Sequence, residues 1–94
     1  MKYFVYILKS VNENKTYVGI TNDFKRRLHE HNSGKAIFTR KFIPWEVIHV
    51  EEAADRIIAR QREKYYKSAA GRKRIKLFLE NLRPRSSVER AEVS

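Results

Sequence analysis

Residues 3–8 of the chain are Tyr-Phe-Val-Tyr-Ile-Leu, and residues 16–21 are Thr-Tyr-Val-Gly-Ile-Thr. β-Branched and aromatic residues dominate both runs, and the polar stretch Asn-Glu-Asn at 12–14 separates them as a turn would. The two runs therefore predict an antiparallel β-hairpin. Gly19 interrupts the second strand, which indicates a bulge or the close approach of another molecule, such as a phosphate, to the backbone.

A basic helix is predicted directly after the hairpin, running to about residue 32. Either Thr21 or Asn22 can cap its first turn. Arg27 and His31 are four residues apart, so a guanidinium and an imidazole should lie side by side on one face. Two further cations are expected elsewhere around this helix, solvated or in contact with phosphate: Lys25 and Arg26.

The second half of the chain predicts a third strand and two more helices. Residues 45–50 alternate, which would place Trp45, Val47 and His49 on one face. A helix is expected over residues 53–67, with an inward stripe that includes Ile57 and Ile58. A break at 68–71 should precede a third amphipathic helix, whose apolar positions are Ile75, Phe78, Leu79 and Leu82.

This order of elements predicts an α/β (α+β) fold, in which three helices flank a small three-stranded antiparallel sheet. We expect one domain over residues 1–82, because a chain of 94 residues has room for a single small core. Residues 83–94 have few large apolar side chains and are expected to form a mobile tail.

The chain is strongly basic, with 21 Lys and Arg against 11 Asp and Glu and a net charge of +10. Such an excess attracts polyanions at long range, and nucleic acid is the expected one. The loop 35–42 adds basic residues interleaved with aromatic ones and could follow a nucleic-acid backbone. The alternative, which we favour, is that Phe38 and Phe42 anchor this loop to the core. Its cations are Lys35, Arg40 and Lys41.

The lack of cysteine and the character of the N-terminal sequence narrow the class of protein. Cysteine is absent, so neither disulfides nor thiolate metal sites contribute. The N-terminus enters the first strand at once, without an apolar segment of the ~20 residues that a membrane span needs or the pattern of a signal peptide. We therefore expect a cytoplasmic protein that does not associate with a membrane.

The motifs resemble those of the GIY-YIG nuclease superfamily, in particular its small single-domain bacterial members of the UPF0213 type. The first motif of that superfamily is usually Gly-Ile-Tyr and the second Tyr-Ile-Gly; here residues 4–6 are Phe-Val-Tyr and residues 17–19 are Tyr-Val-Gly. The first glycine is thus replaced, as is common in the small members. Residues 21–28, His31 and Glu63 follow in the order of the superfamily, so the resemblance covers nearly the whole chain.

The resemblance implies a role for each matching residue. Glu63 would bind a single divalent ion, usually Mg²⁺ (or Mn²⁺), and Arg27 would hold a nonbridging phosphate oxygen. Tyr6 would take or relay the proton of a nucleophilic water, Tyr17 would orient water or phosphate, and His31 would accept the tyrosine's proton or contact phosphate. Further contacts with nucleic acid are expected from Gly19, Lys25, Arg26, Lys35, Arg40, Lys41, Arg60 and Lys67.

The function implied is a metal-dependent endonuclease that hydrolyses phosphodiester bonds, in DNA more than in RNA, with water as the nucleophile. One alternative is a nucleic-acid-binding module with weak or no catalysis that uses the same basic surface. Another is a structural protein of a ribonucleoprotein particle. Larger members of the superfamily take their target choice from an attached DNA-binding domain. We expect none here, so a homodimer or a protein partner would have to supply that choice.

Overall fold

The computed structural model describes the backbone of residues 2–93 and the side chains of residues 2–81. Three antiparallel strands and three α-helices are present, which confirms the predicted α+β fold. The elements are β1 (Tyr3–Ser10), β2 (Thr16–Thr21), α1 (Phe24–Asn32), a short 3-10 helix (Arg40–Phe42), β3 (Trp45–Ala53), α2 (Arg56–Lys67) and α3 (Ala69–Val93).

β1 is the central strand of the sheet, whose order is β2-β1-β3. The pairing of β1 with β3 shifts register where Ile7 lies opposite His49 and Leu8 lies opposite Val47, so that Ile48 is skipped. Because side chains alternate between the two faces of a strand, this irregularity places Trp45 and His49 on opposite faces. The predicted strict alternation through 45–50 is therefore wrong after Val47.

β1 is buried on both faces, as its unbroken apolar run predicts. On one face Val5 and Ile7, both 0% exposed, lie in a core with residues of α2 and α3. On the other face Tyr6 and Leu8, 1% and 0% exposed, pack with Trp45 beneath α1. Adjacent residues of one strand thus belong to two different cores, and only the α1 side carries Tyr6.

The cap of α1 differs from the one predicted. α1 is capped by Asp23, whose carboxylate accepts a hydrogen bond from the backbone N–H of Arg26 (3.2 Å). Thr21 instead accepts from the backbone N–H of Asp23 (3.0 Å), which holds the turn that leads into the helix. α2 begins at Arg56 after Asp55, which caps it through the N–H of Ile58 (2.9 Å).

The start of α2 and the break after it were also predicted wrongly. Ala53 is the last residue of β3 and not the first of a helix, because its strand pairs with Tyr3. The break predicted over 68–71 is reduced to Ser68, since α3 begins at Ala69. The predicted tail, residues 83–94, and the boundary at residue 82 lie outside the residues whose side chains are described and stay predictions. In the described part of the chain, no helix has the length and apolarity that crossing a membrane requires.

Candidate active site

Tyr6 and His31 form a buried hydrogen-bonded pair between β1 and α1. The Tyr6 hydroxyl oxygen lies 3.0 Å from Nε2 of His31. Tyr6 is 1% exposed and His31 is 0% exposed. Buried polar groups in proteins are stable when each has a hydrogen-bond partner. The bond between Tyr6 and His31 supplies such a partner for the hydroxyl and for Nε2.

The other ring nitrogen of His31 is held by Thr39. Nδ1 lies 2.7 Å from Oγ1 of Thr39, and that hydroxyl in turn contacts the carbonyl oxygen of Ala36 at 3.5 Å. Thr39 is itself fixed, because the indole N–H of Trp45 donates to its carbonyl oxygen (2.9 Å). If the Thr39 hydroxyl donates to Ala36, then Nδ1 of His31 carries the proton and donates to Thr39.

The direction of the Tyr6–His31 bond follows from this tautomer. With the proton on Nδ1, Nε2 of His31 carries a lone pair and can only accept. The Tyr6 hydroxyl therefore donates its proton to Nε2 of His31. We assign a chain of hydrogen bonds that runs from Tyr6 through His31 to Thr39.

Burial keeps both members of the pair neutral at pH 7. Removal from water raises the pKa of Tyr6 to about 12, against the opposing effect of Arg27 and with further increases from Tyr17 and Glu63. Burial, followed by the positive charge of Arg27, lowers the pKa of His31 below its usual value. A neutral phenol thus faces a neutral imidazole with a free lone pair.

Arg27 lies between this pair and solvent, with 36% of its side chain exposed. Its Nη1 donates to Oε1 of Glu30 at 2.9 Å, and this contact raises the pKa of the guanidinium while lowering that of the Glu30 carboxyl. The guanidinium is therefore always charged, and its charge opposes the rise in the pKa of Tyr6.

Tyr17 and Gly19 of β2 complete the aromatic side of the cluster. The Tyr17 ring lies 4.9 Å from that of His31 and 6.2 Å from that of Tyr6, measured between ring centres. Gly19 pairs directly with Tyr6 in the sheet. A Cβ atom at Gly19 would lie 2.5 Å from the Tyr6 hydroxyl oxygen, so the space that the missing side chain leaves is filled by the Tyr6 ring. Packing accounts for this glycine, and its contact with phosphate stays a prediction.

Glu63 approaches the cluster from α2. It lies on the helix face that also carries Ala59 and Tyr66, both buried, and only 16% of its side chain is exposed. Its negative charge is one of the contributions that raise the pKa of Tyr6. Two cations contact the carboxylate, Nζ of Lys67 at 3.1 Å and Nε of Arg60 at 3.9 Å. Glu63 thus forms a surface ion pair with Lys67. It is also close enough to Tyr6 for the two side chains to interact electrostatically.

Comparison with known proteins identifies the family of the chain. The profile of the GIY-YIG catalytic domain matches residues 2–76. The chain belongs to the GIY-YIG family. The resemblance predicted from the sequence motifs is thereby confirmed, and membership implies nuclease-type chemistry and a nucleic-acid substrate.

Two UPF0213 proteins and one solved UPF0213 structure are similar to the chain over most of their length. The UPF0213 protein YazA of Bacillus subtilis is 37% identical over 82 residues, which are 86% of this chain and 81% of that protein. A UPF0213 protein of Natronomonas pharaonis is 36% identical over 76 residues, 80% of this chain and 88% of its own. The solution NMR structure of the UPF0213 protein BH0048 of Bacillus halodurans matches with a TM-score of 0.50 and 32% identity, and covers 82% of each chain.

A metal ion fits the described residues of this GIY-YIG domain only at a site to which water and substrate also contribute ligands. Among the side chains described, no group of three or more His, Cys, Asp or Glu could hold an ion by itself. Mg²⁺, however, is commonly bound through one or two carboxylates, with waters and substrate phosphates as the remaining ligands. A carboxylate such as that of Glu63 fits that kind of site, in which waters and substrate phosphates would supply the remaining ligands.

The basic residues predicted to contact nucleic acid all lie at the surface. They do not form one cluster with Tyr6, because they are spread over α1, the loop that follows it, and α2. Arg26 is engaged with Asp23 (4.0 Å) and Glu30 (3.9 Å). The exposed cations are Lys25, Arg26, Lys35, Arg40, Lys41, Arg60 and Lys67.

Sequence reasoning missed Thr39 altogether. This residue is 2% exposed and orients the imidazole of His31 from a loop eight positions farther along the chain. A threonine between Phe38 and Arg40 carries no periodic or spacing signal. Only the folded path of the loop brings its hydroxyl to the ring.

Proposed function

We propose that the chain is a metal-dependent endonuclease that hydrolyses phosphodiester bonds in DNA with water as the nucleophile. The observation that carries this proposal is the hydrogen bond from Tyr6 to His31 beside the guanidinium of Arg27. It joins a proton acceptor, a proton relay and a phosphate-binding cation in one cluster, the three groups that the reaction requires.

A phenol with a pKa near 12 holds no reserve of phenolate at pH 7. Tyr6 therefore accepts the proton of the attacking water only as its own proton passes to Nε2 of His31. The lowered pKa of His31 suits this step, because the imidazole begins neutral with its lone pair on Nε2. The proton taken up leaves His31 as an imidazolium, which Glu30 favours through its negative charge.

Arg27 binds a nonbridging oxygen of the phosphate through charge-assisted hydrogen bonds. In the free protein its guanidinium is held by Glu30 at 2.9 Å, so the incoming phosphate competes with this carboxylate. Tyr17, at the edge of the cluster, positions the phosphate or the water.

Glu63 is the residue that would hold the divalent ion, Mg²⁺ or Mn²⁺. When bound, such an ion neutralises phosphate charge and stabilises the departing oxygen. Lys67 and Arg60 now contact the Glu63 carboxylate; 57% and 61% of their side chains are exposed, so both can move aside at little cost.

The exposed cations of α1, the following loop and α2 are proposed to bind phosphates on either side of the scissile bond, and Gly19 to contact the phosphate backbone. The net charge of +10 supports a polyanionic substrate without distinguishing DNA from RNA. We expect a homodimer or a protein partner to supply target choice. A cytoplasmic location also stays a prediction.

A cleavage screen with a matched control tests the proposal. Supercoiled, nicked, branched and single-stranded DNA are incubated with protein and Mg²⁺ or Mn²⁺, with EDTA as the negative arm. Wild type and Glu46→Gln, which removes an exposed carboxylate of β3, should cleave at least one substrate. Glu63→Gln and Tyr6→Phe should lose cleavage by a factor of about 100 or more. Failure of the wild type on every substrate would contradict the enzyme proposal.

A second candidate is a nucleic-acid-binding module with little catalysis. The 1% exposure of Tyr6 favours it, because a proton acceptor must reach the attacking water. The two candidates differ in the behaviour of Glu63→Gln. Loss of cleavage with binding retained supports the enzyme, whereas binding without cleavage in both the wild type and the variant supports the module.

A further inference from the structure

The loop after α1 presents one aromatic side chain almost wholly to solvent. Phe38 is 88% exposed and its neighbour Ile37 is 69% exposed, while Thr39, the next residue, is 2% exposed. The sequence expectation that both loop phenylalanines anchor to the core is right for Phe42, which packs against the Trp45 cluster. It is wrong for Phe38.

The exposure of Phe38 follows from the way the backbone is held. The carbonyl oxygen of Ala36 accepts from the N–H of Thr39 (3.2 Å) and of Arg40 (3.1 Å), and that of Thr39 accepts from Phe42 (3.1 Å) and from the Trp45 indole (2.9 Å). These bonds fix the turn with Thr39 directed inward. Phe38, the residue before it, is directed away from the core.

The charge around Phe38 indicates what covers it. Residues 31–45 contain Lys35, Arg40 and Lys41, all exposed, and no Asp or Glu. An apolar partner protein or a lipid tail would gain nothing from these three cations. A nucleotide offers both a flat apolar face for the ring and a phosphate for the cations, and base stacking on exposed aromatic residues is sequence-tolerant.

We propose that Phe38 is a stacking platform for an unpaired nucleobase of the substrate strand. The inference deepens the proposed function and rests on it, because Thr39 links the platform to His31 and hence to Tyr6 through two hydrogen bonds. Bases of an intact duplex are stacked on one another and present only their edges. The substrate class is therefore single-stranded or branched DNA with an unpaired base near the cleavage point.

Equilibrium binding without metal tests this platform separately from catalysis. Fluorescence anisotropy compares a labelled single-stranded oligonucleotide with a blunt duplex of the same length at fixed salt. Phe38→Ala should weaken binding to the single strand by a factor of about 5 to 100, and binding to the duplex by less than about two-fold. Ile37→Ala, which removes a neighbouring exposed apolar side chain that cannot stack, should leave both affinities unchanged.

Two further substitutions separate stacking from general hydrophobic contact. Phe38→Trp should restore or exceed wild-type affinity for the single strand, whereas Phe38→Leu should resemble Phe38→Ala. Recovery of binding by Leu would overturn the inference in favour of an apolar partner. Equal losses on single strand and duplex, or no loss on either, would also overturn it. The thermal midpoints of all variants should agree within about 2 °C, because the replaced side chains are exposed.

Failure of this inference is distinguishable from failure of the nuclease proposal. If wild type cleaves DNA but Phe38→Ala binds the single strand normally, the platform is wrong and the enzyme stands. If no substrate is cleaved while Phe38→Ala loses single-strand binding, the platform stands and the catalytic proposal fails.

Discussion

Gly19→Ala tests the packing that holds the catalytic tyrosine. In a β-strand, replacing glycine by alanine ordinarily stabilises a protein by about 0.5–1 kcal/mol, because the unfolded chain has less conformational freedom to lose on folding. At Gly19 we expect the replacement to destabilise the protein instead. The new Cβ would lie 2.5 Å from the Tyr6 hydroxyl oxygen, 2.6 Å from its Cζ and 2.9 Å from Cε2 of Tyr17, all well inside van der Waals contact.

Tyr6 must move to accommodate the methyl group, and its surroundings resist that movement. The ring is 1% exposed and is packed against Phe24 and His31, at ring-centre distances of 5.7 and 5.8 Å. Overpacking of this kind costs about 1–3 kcal/mol, and loss of the bond to His31 costs about 1 kcal/mol more. After the gain from alanine itself, we expect a net loss near 2 kcal/mol.

Thermal unfolding followed by circular dichroism measures this loss. For a domain of this size, 2 kcal/mol corresponds to a decrease in Tm of about 8–16 °C. The matched control is the same substitution in a Tyr6→Leu background, where the ring is absent and Gly19→Ala should cost less than about 0.5 kcal/mol. Equal costs in the two backgrounds, or no loss of stability in the first, would contradict the conclusion that the Tyr6 ring occupies the glycine's space.

Three further predictions concern the residues around Tyr6. As the pH falls below about 6.5, the free energy of unfolding should decrease by up to ~1.4 kcal/mol per pH unit, because His31 binds a proton more readily in the unfolded chain than in the folded one. Denaturant titrations from pH 5 to 7 should show a shallower pH dependence in His31→Gln than in the wild type. An equal pH dependence in the two proteins would contradict this prediction. Thr39→Val should cost about 1–3 kcal/mol by leaving Nδ1 of His31 without its partner, measured as a lower Tm; an unchanged Tm would mean that Thr39 does not hold the ring. Arg27→Lys should lower the cleavage rate about ten-fold or more while DNA affinity changes less than three-fold, since the charge remains but the planar fork is lost; a proportional loss of affinity would assign Arg27 to binding alone.

Much of the fold follows from local patterns in the sequence. The apolar run of β1 and the bounds of β2 were predicted because consecutive or alternating apolar residues leave few other structures open to them. The inward face of α2 was not predicted correctly. Ile57 and Ile58 are 70% and 42% exposed, and Ala59 is buried in their place. A small residue lets the helix approach the sheet closely, and composition alone gives no measure of that distance.

The composition of the candidate site also followed from the sequence, whereas its internal contacts did not. The motif order alone brought Tyr6, Tyr17, Arg27, His31 and Glu63 into one hypothesis, because the chemistry of phosphodiester cleavage restricts which side chains can serve and the family preserves their order. The helical spacing of Arg27 and His31 also predicted that these two lie on one face.

The state of each group depends on the folded structure. Whether a phenol is neutral, which nitrogen of an imidazole carries the proton, and whether a loop phenylalanine is buried all depend on atoms that are distant in the chain. Thr39 directs His31, the skipped residue Ile48 changes the face on which His49 lies, and the Tyr6 ring fills the space at Gly19. The sequence thus determined which residues are present and in what order, and folding determined their hydrogen bonds, their burial and therefore their chemistry.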